Sequence, residues 1–296
     1  LYPDFDLQVT KSGQVDEEPG SRKLYQVILD EYRARRQPLG APELVTELRR
    51  LGIPSDGEAP ATEIVEQSAE RGWRRTVLHL ETEPGLRIQG TLYTPDSSGR
   101  KPALVLVQDR STAALARAAA GRGDIVLELE PRQSPSGDDH RPYLGDWLTN
   151  TRADAIGRNL AAMRAHDIVR GVDLLRHRDD VDPASIRAAA SGVKGIWLLL
   201  AAAVDPRISR VWLDRTPHNL SSALERPLNT NLFDAMIPGF LLHWDLSDLV
   251  AAMGSRSVLW TDPADWMRRS VRLPGPYEYR HDDQPDEELL VEFLRH

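Results

Sequence analysis

Between residues 75 and 81 apolar and polar side chains alternate, and residues 86–93 repeat the alternation after a Pro84-Gly85 turn. That period of two predicts a pair of antiparallel strands. The texture then changes. Residues 102–108 read PALVLVQ, an unbroken apolar run of the kind found in strands covered on both faces. Residues 124–130, 185–190, 208–213, 257–260 and 277–279 are further strand segments. Helical patterns separate them at 111–120, 152–176 and 194–204, with a closing helix at 287–295. Strand and helix in alternation predict a mostly parallel central sheet between two helical layers.

Upstream, the period lengthens. Residues 21–36 place Leu24, Val27, Ile28 and Tyr32 on one helical face behind a Ser21 cap, and residues 41–51 repeat this through Leu44, Leu48 and Leu51. Residues 60–72 fit a third helix with Ile64, Val65 and Ala69 inward. The expected organisation is a helical appendage over residues 1–72 and an α/β domain over residues 73–296. Long insertions fall at 131–150 and 214–245.

Composition narrows the function classes. The chain has 296 residues and a net charge of −8, the opposite of what a general nucleic-acid or anionic-membrane binder carries. Its longest apolar run, 195–204, is about half of a membrane span. With no cysteine, disulfides, thiolate metal sites and thiol nucleophiles are excluded. The chain begins at Leu1 with no signal-like segment, as a processed or truncated product would. The compartment is not legible from that terminus.

In a sheet of this kind ligands sit at the carboxyl ends of the strands. After the 185–190 strand comes Ala189-Ala190-Ser191-Gly192-Val193-Lys194-Gly195. A strand turning sharply into a helix through Ser and Gly has the form of a nucleophile elbow, with the helix N-terminus available to a developing oxyanion. Ser191 is then either a nucleophile or simply a small turn residue.

The stretches Val181-Asp182-Pro183-Ala184-Ser185-Ile186 before the strand and Ala201-Ala202-Ala203-Val204-Asp205-Pro206-Arg207-Ile208 after the helix carry a resemblance. They are similar to the α/β-hydrolases, and among them to the acetyl xylan esterase-like carbohydrate esterases, over residues 75–296. The resemblance implies a three-layer α/β-hydrolase fold and hydrolysis of carbohydrate esters through an acyl-serine, with no cofactor and no metal. It implies a polysaccharide or small ester as substrate and an extracytoplasmic location. The opening stretch Val9-Thr10-Lys11-Ser12-Gly13-Gln14-Val15 resembles a segment of tandem members, which implies a second hydrolase domain upstream.

The same resemblance sets the site. Counting from Ile186 or back from Asp205 puts the nucleophile place at Gly192, one residue after Ser191. The acid falls on Asp265, with Asp214 as the alternative, and the base on His281. The oxyanion region falls on Gln108, Asp109 and Val193. An acidic Asp109 where negative charge must develop works against catalysis unless a cation such as Arg110 neutralises it. Tyr143, Trp147, Trp244 and Trp266 lie in insertions or post-strand loops and offer faces to sugar rings, or else pack in the core. Asp265 is equally suited to capping the segment that follows it, and His281 to a solvated loop. Two functional readings follow: an esterase with a degenerate elbow, weakly active or inactive, and a non-catalytic domain that supports an active partner or holds carbohydrate. Three clusters, 138–140, 177–180 and 281–283, combine His and Asp; the second sits at a helix C-terminus, where His177 suits the dipole.

Overall fold

A computed structural model describes residues 2–54, 56–109, 112–134, 141, 143–272, 278–280 and 286–295. Two helices, α1 (Leu24–Arg35) and α2 (Ala41–Arg50), lead into β1 (Thr62–Glu70), β2 (Trp73–Glu83) and β3 (Leu86–Pro95). Next come β4 (Lys101–Val107), α3 (Thr112–Gly121), β5 (Ile125–Glu130), α4 (Trp147–Ala155), α5 (Leu160–Arg176) and β6 (Val181–Ser191). The chain closes with α6 (Lys194–Val204), β7 (Ile208–Asp214), α7 (Leu246–Ala252), β8 (Ser257–Thr261), β9 (Glu278–Arg280) and α8 (Asp286–Arg295).

The described strands form one sheet in the order β1-β2-β3-β5-β4-β6-β7-β8-β9. The pairs β1/β2, β2/β3 and β3/β5 are antiparallel, and every pair from β5/β4 to β8/β9 is parallel. Because strand side chains alternate between faces, the apolar run of β4 feeds two cores. Ala103, Val105 and Val107 join the core beneath α2, α5, α6 and α7, while Leu104 and Leu106 join the one beneath α3 and α8. The expected three-layer architecture is what forms.

Three local expectations fail. Residues 60–72 are not a helix but contain β1, an edge strand whose Ile64 and Val65 are 62% and 55% exposed. The spacing of Ile64, Val65 and Ala69 mimics a helical stripe. What decides is the two-residue turn Arg71-Gly72, in which Gly72 takes φ +93° and lets Glu70 pair directly with Trp73. A bulge at Val65 and the ion pairs Arg75–Glu66 (3.2 Å) and Arg87–Glu63 (2.6 Å) finish this edge.

Residues 152–176 are not one helix either. Gly157 at φ +73° ends α4, and the Asn159 side chain restarts α5 by accepting from the Ala162 N–H at 3.1 Å. Helix α1 starts at Leu24 rather than at a Ser21 cap and buries no residue. Helix α7, a stretch to which the sequence pattern assigns no element, is started by an Asp245–Asp248 capping box. By contrast α2 is well seated, since Leu44, Leu48 and Ile53 belong to the same core as the sheet. No helix among the described residues is long and apolar enough to cross a membrane.

Candidate functional site

The carboxyl ends of β6, β7 and β8 meet at one point. Ser191 and Asp214 are register partners at the ends of β6 and β7, and Asp214 pairs in turn with Thr261 of β8. The Ser191 Oγ donates to Asp214 Oδ2 at 3.1 Å, and the Thr261 hydroxyl donates to Asp214 Oδ1 at 3.0 Å. Arg215 lies 2.6 Å from Asp214 Oδ2. Burial pushes the Asp214 carboxyl above the usual carboxylate range, against the pull of Arg215 and these hydrogen bonds.

Gly192 follows at φ +60°, its N–H donating to the Asp214 carbonyl at 2.8 Å. It forms the apex of the turn from β6 into α6. A side chain placed there would meet nothing within 4 Å. The backbone N–H groups of Val193 and Lys194 make no hydrogen bond among the described residues. They are the unsatisfied donors that any helix start leaves.

Turn closure depends on Gly195. A Cβ there would overlap the Thr216 hydroxyl and lie 2.7 Å from its methyl and 2.9 Å from its Cβ. Gly195→Ala is therefore expected to lower stability by about 1–3 kcal/mol. Thr216→Ala in the same chain should restore part of the loss. Chemical denaturation of the four chains of this cycle checks it; additive losses would contradict the overlap.

Gln108 and Asp109 follow β4. The Gln108 N–H donates to the Leu129 carbonyl, and its own carbonyl accepts from the Lys194 ammonium. Asp109 donates its N–H to the Thr112 hydroxyl at 3.2 Å, and that hydroxyl donates to the buried Glu128 carboxylate. Arg110, the cation looked for beside Asp109, lies outside the described residues. Lys194 supplies a positive charge that interacts with Asp109; its pKa is lowered by burial, partly offset by Asp109 and Glu130.

The remaining expected site residues divide. The Asp265 carboxylate is held by its own turn: Oδ1 accepts the Met267 and Arg269 N–H groups at 2.8 and 3.0 Å, and Oδ2 accepts from Arg269 Nε and Nη2 at 2.8 and 2.6 Å. It caps and clamps the 265–269 turn. Trp244, buried to 4% exposure, is a core side chain against Phe240, with its indole N–H donating to the Gly40 carbonyl. That corrects its expected place beside the ligand. Trp266 is 2% exposed and bonds the Asn219 carbonyl, although it also contributes to a cleft wall. Trp147 is half-buried at the start of α4, and Tyr143 is exposed. His281 lies outside the described residues, as do the 138–140 and 281–283 clusters. His177 instead bonds the Asp173 carbonyl at the far end of the sheet, and Asp180 is paired with Arg178. No three potential metal ligands converge among the described residues.

An open cleft of about 550 Å³ lies over the elbow, lined by Ser191, Gly192, Lys194, Arg215, Asn231, Asp262, Asp265 and Arg268 among others. The non-glycine residues with positive φ among those described are Arg215 (+46°), Asn231 (+57°), Asp262 (+42°) and Arg268 (+61°), and all four line it. Asn and Asp tolerate this region, but for a long side chain such as Arg it is strained, on the order of 1 kcal/mol or more. Sequence reasoning missed Arg215, Thr261 and Arg268, and no residue type marks a positive φ at an arginine.

Solved structures share this fold at low sequence identity. Acetyl xylan esterase 1 from a Thermoanaerobacterium species superposes with a TM-score of 0.58 at 17% identity, over 93% of this chain and 98% of that one. The chain has the α/β-hydrolase fold. An acetyl xylan esterase from a Paenibacillus species gives 0.57 at 16% identity over 97% and 99% of the two chains. A Bacteroides fragilis protein described provisionally as an acetyl xylan esterase gives 0.66 at 15% identity over 86% and 77%. No family model matches the sequence, and no curated protein matches it. At these identities the similarity speaks for the α/β-hydrolase fold and leaves activity to the residues of the site.

Proposed function

We propose that this chain is a carbohydrate-esterase-like domain whose elbow carries glycine where the nucleophilic hydroxyl belongs. It holds a polysaccharide segment in the cleft and hydrolyses esters weakly or not at all. The observation that carries the reading is the positive φ of Gly192 at the apex of the strand-to-helix turn, with open space where a side chain would stand. Ser191 sits one residue earlier, with its hydroxyl engaged by Asp214. Asp109 in the oxyanion region adds negative charge where it opposes an acyl-transfer transition state. In this reading His281 and Asp265, or Asp214 in its stead, keep the base and acid places without a nucleophile to serve. A tandem hydrolase domain upstream would supply the chemistry.

The Ser191–Asp214 hydrogen bond favours one rival, a serine esterase in which Ser191 acts from its off-register place. Turnover of a chromogenic acetate ester separates the two. The purified chain is expected to stay orders of magnitude below an ordinary esterase, and Ser191→Ala to change nothing. Turnover on the order of 1 s⁻¹ or more, abolished by Ser191→Ala, would establish the rival.

A further inference from the structure

Resting on the reading of the cleft as a carbohydrate site, we propose that its ligand is an acidic glycan, with a uronate carboxylate held between Arg268 and Arg215. The cleft wall carries Lys194, Arg215 and Arg268 against Asp262 and Asp265. Asp265 is already neutralised by Arg269 at 2.6 Å, with Arg226 at 3.9 Å. Arg215 pairs with Asp214, yet its side chain is 56% exposed and keeps further donors. Arg268 is exposed and makes no ion pair among the described residues. Among the described lining residues of a chain of net charge −8, three cations thus stand against two carboxylates, one of which Arg269 already neutralises.

The backbone makes the same point independently. Arg215 and Arg268 both occupy the left-handed region, and neither is buried there by packing. Their N–H groups are held by the Thr261 and Asp265 carbonyls at 2.9 Å each, which fixes the two turns and leaves both side chains exposed on the cleft wall. Guanidinium forks match carboxylates in bidentate geometry. The cleft volume suits sugar units around the carboxylate rather than a lone ion. A neutral glycan would leave Arg268 without an ion-pair partner among the described residues.

Calorimetric titration of the whole chain with trigalacturonate, xylotriose and inorganic phosphate tests this. Trigalacturonate should bind about tenfold or more tightly than xylotriose, and added salt should weaken it. Arg268→Gly is the informative variant, because glycine accepts φ +61° without strain. It should keep or raise the melting temperature while weakening trigalacturonate about tenfold. A fall in melting temperature with unchanged binding would show a structural role and overturn the proposal. Xylotriose bound as tightly as trigalacturonate would overturn the uronate and leave the carbohydrate cleft standing. Phosphate bound as tightly would replace it with a simple anion site. Absence of binding by both sugars would overturn this inference and the carbohydrate reading together.

Discussion

Gly192→Ser combined with Asp109→Gly should hydrolyse a chromogenic acetate ester about 10²-fold faster than Gly192→Ser alone, which should be at most marginally active. The hydroxyl introduced at position 192 meets no steric obstacle, because a Cβ there has open space. It does meet strain at φ +60°, so the single variant should lose about 1–2 kcal/mol of stability. Its transition state would find the free N–H of Val193 but also the Asp109 carboxylate. Removing Asp109 removes that charge from the oxyanion region. Acetate release from folded, purified variants measures the difference. Robust hydrolysis by Gly192→Ser alone would show an intact oxyanion region. Equal inactivity of both variants, with the fold intact, would show that His281 does not serve as the base.

Arg164→Met should be among the most damaging substitutions away from the elbow. Arg164 is 1% exposed, donates to Asp146 and to Asp234 at 3.3 Å, and lies with its guanidinium 4.4 Å from the Trp197 ring centre. The Trp197 indole N–H donates to the Asp234 carbonyl at 2.6 Å, and Asp234 Oδ1 accepts the Asp146 N–H at 3.0 Å. One cation thus ties both insertions to α5 and α6 beneath the cleft. Without it the buried Asp146 and Asp234 carboxylates lose the guanidinium that bridges them, a loss of about 3–5 kcal/mol. Urea denaturation reads this as a lower midpoint at unchanged slope. Adding Asp146→Asn should recover part of it, since one buried charge disappears. A loss below about 1 kcal/mol would mean that solvent already reaches the cluster.

The central strands were legible because β4, β5, β6 and β7 are apolar on both faces and bounded by turns. The edge was not: β1 is exposed on both faces, so its few apolar residues carried no reliable period. The break between α4 and α5 hides behind a single glycine inside a strongly helical stretch. At the site, counting from both flanks points to Gly192, which stands at φ +60° where β6 turns into α6. The Asp265–Arg269 clamp was readable as an i, i+4 pair of opposite charges. Trp244 was misplaced because position in an insertion says little about burial; its ring packs beneath α2, far along the chain. Arg215 and Arg268 left no trace, since their importance lies in φ rather than in residue type.

Intact-mass measurement after incubation with a fluorophosphonate, which phosphonylates activated serines, shows whether the elbow holds a working nucleophile. The wild-type chain should remain unmodified under conditions that fully label an ordinary serine esterase. A stoichiometric adduct on Ser191, lost in Ser191→Ala, would contradict the proposed function.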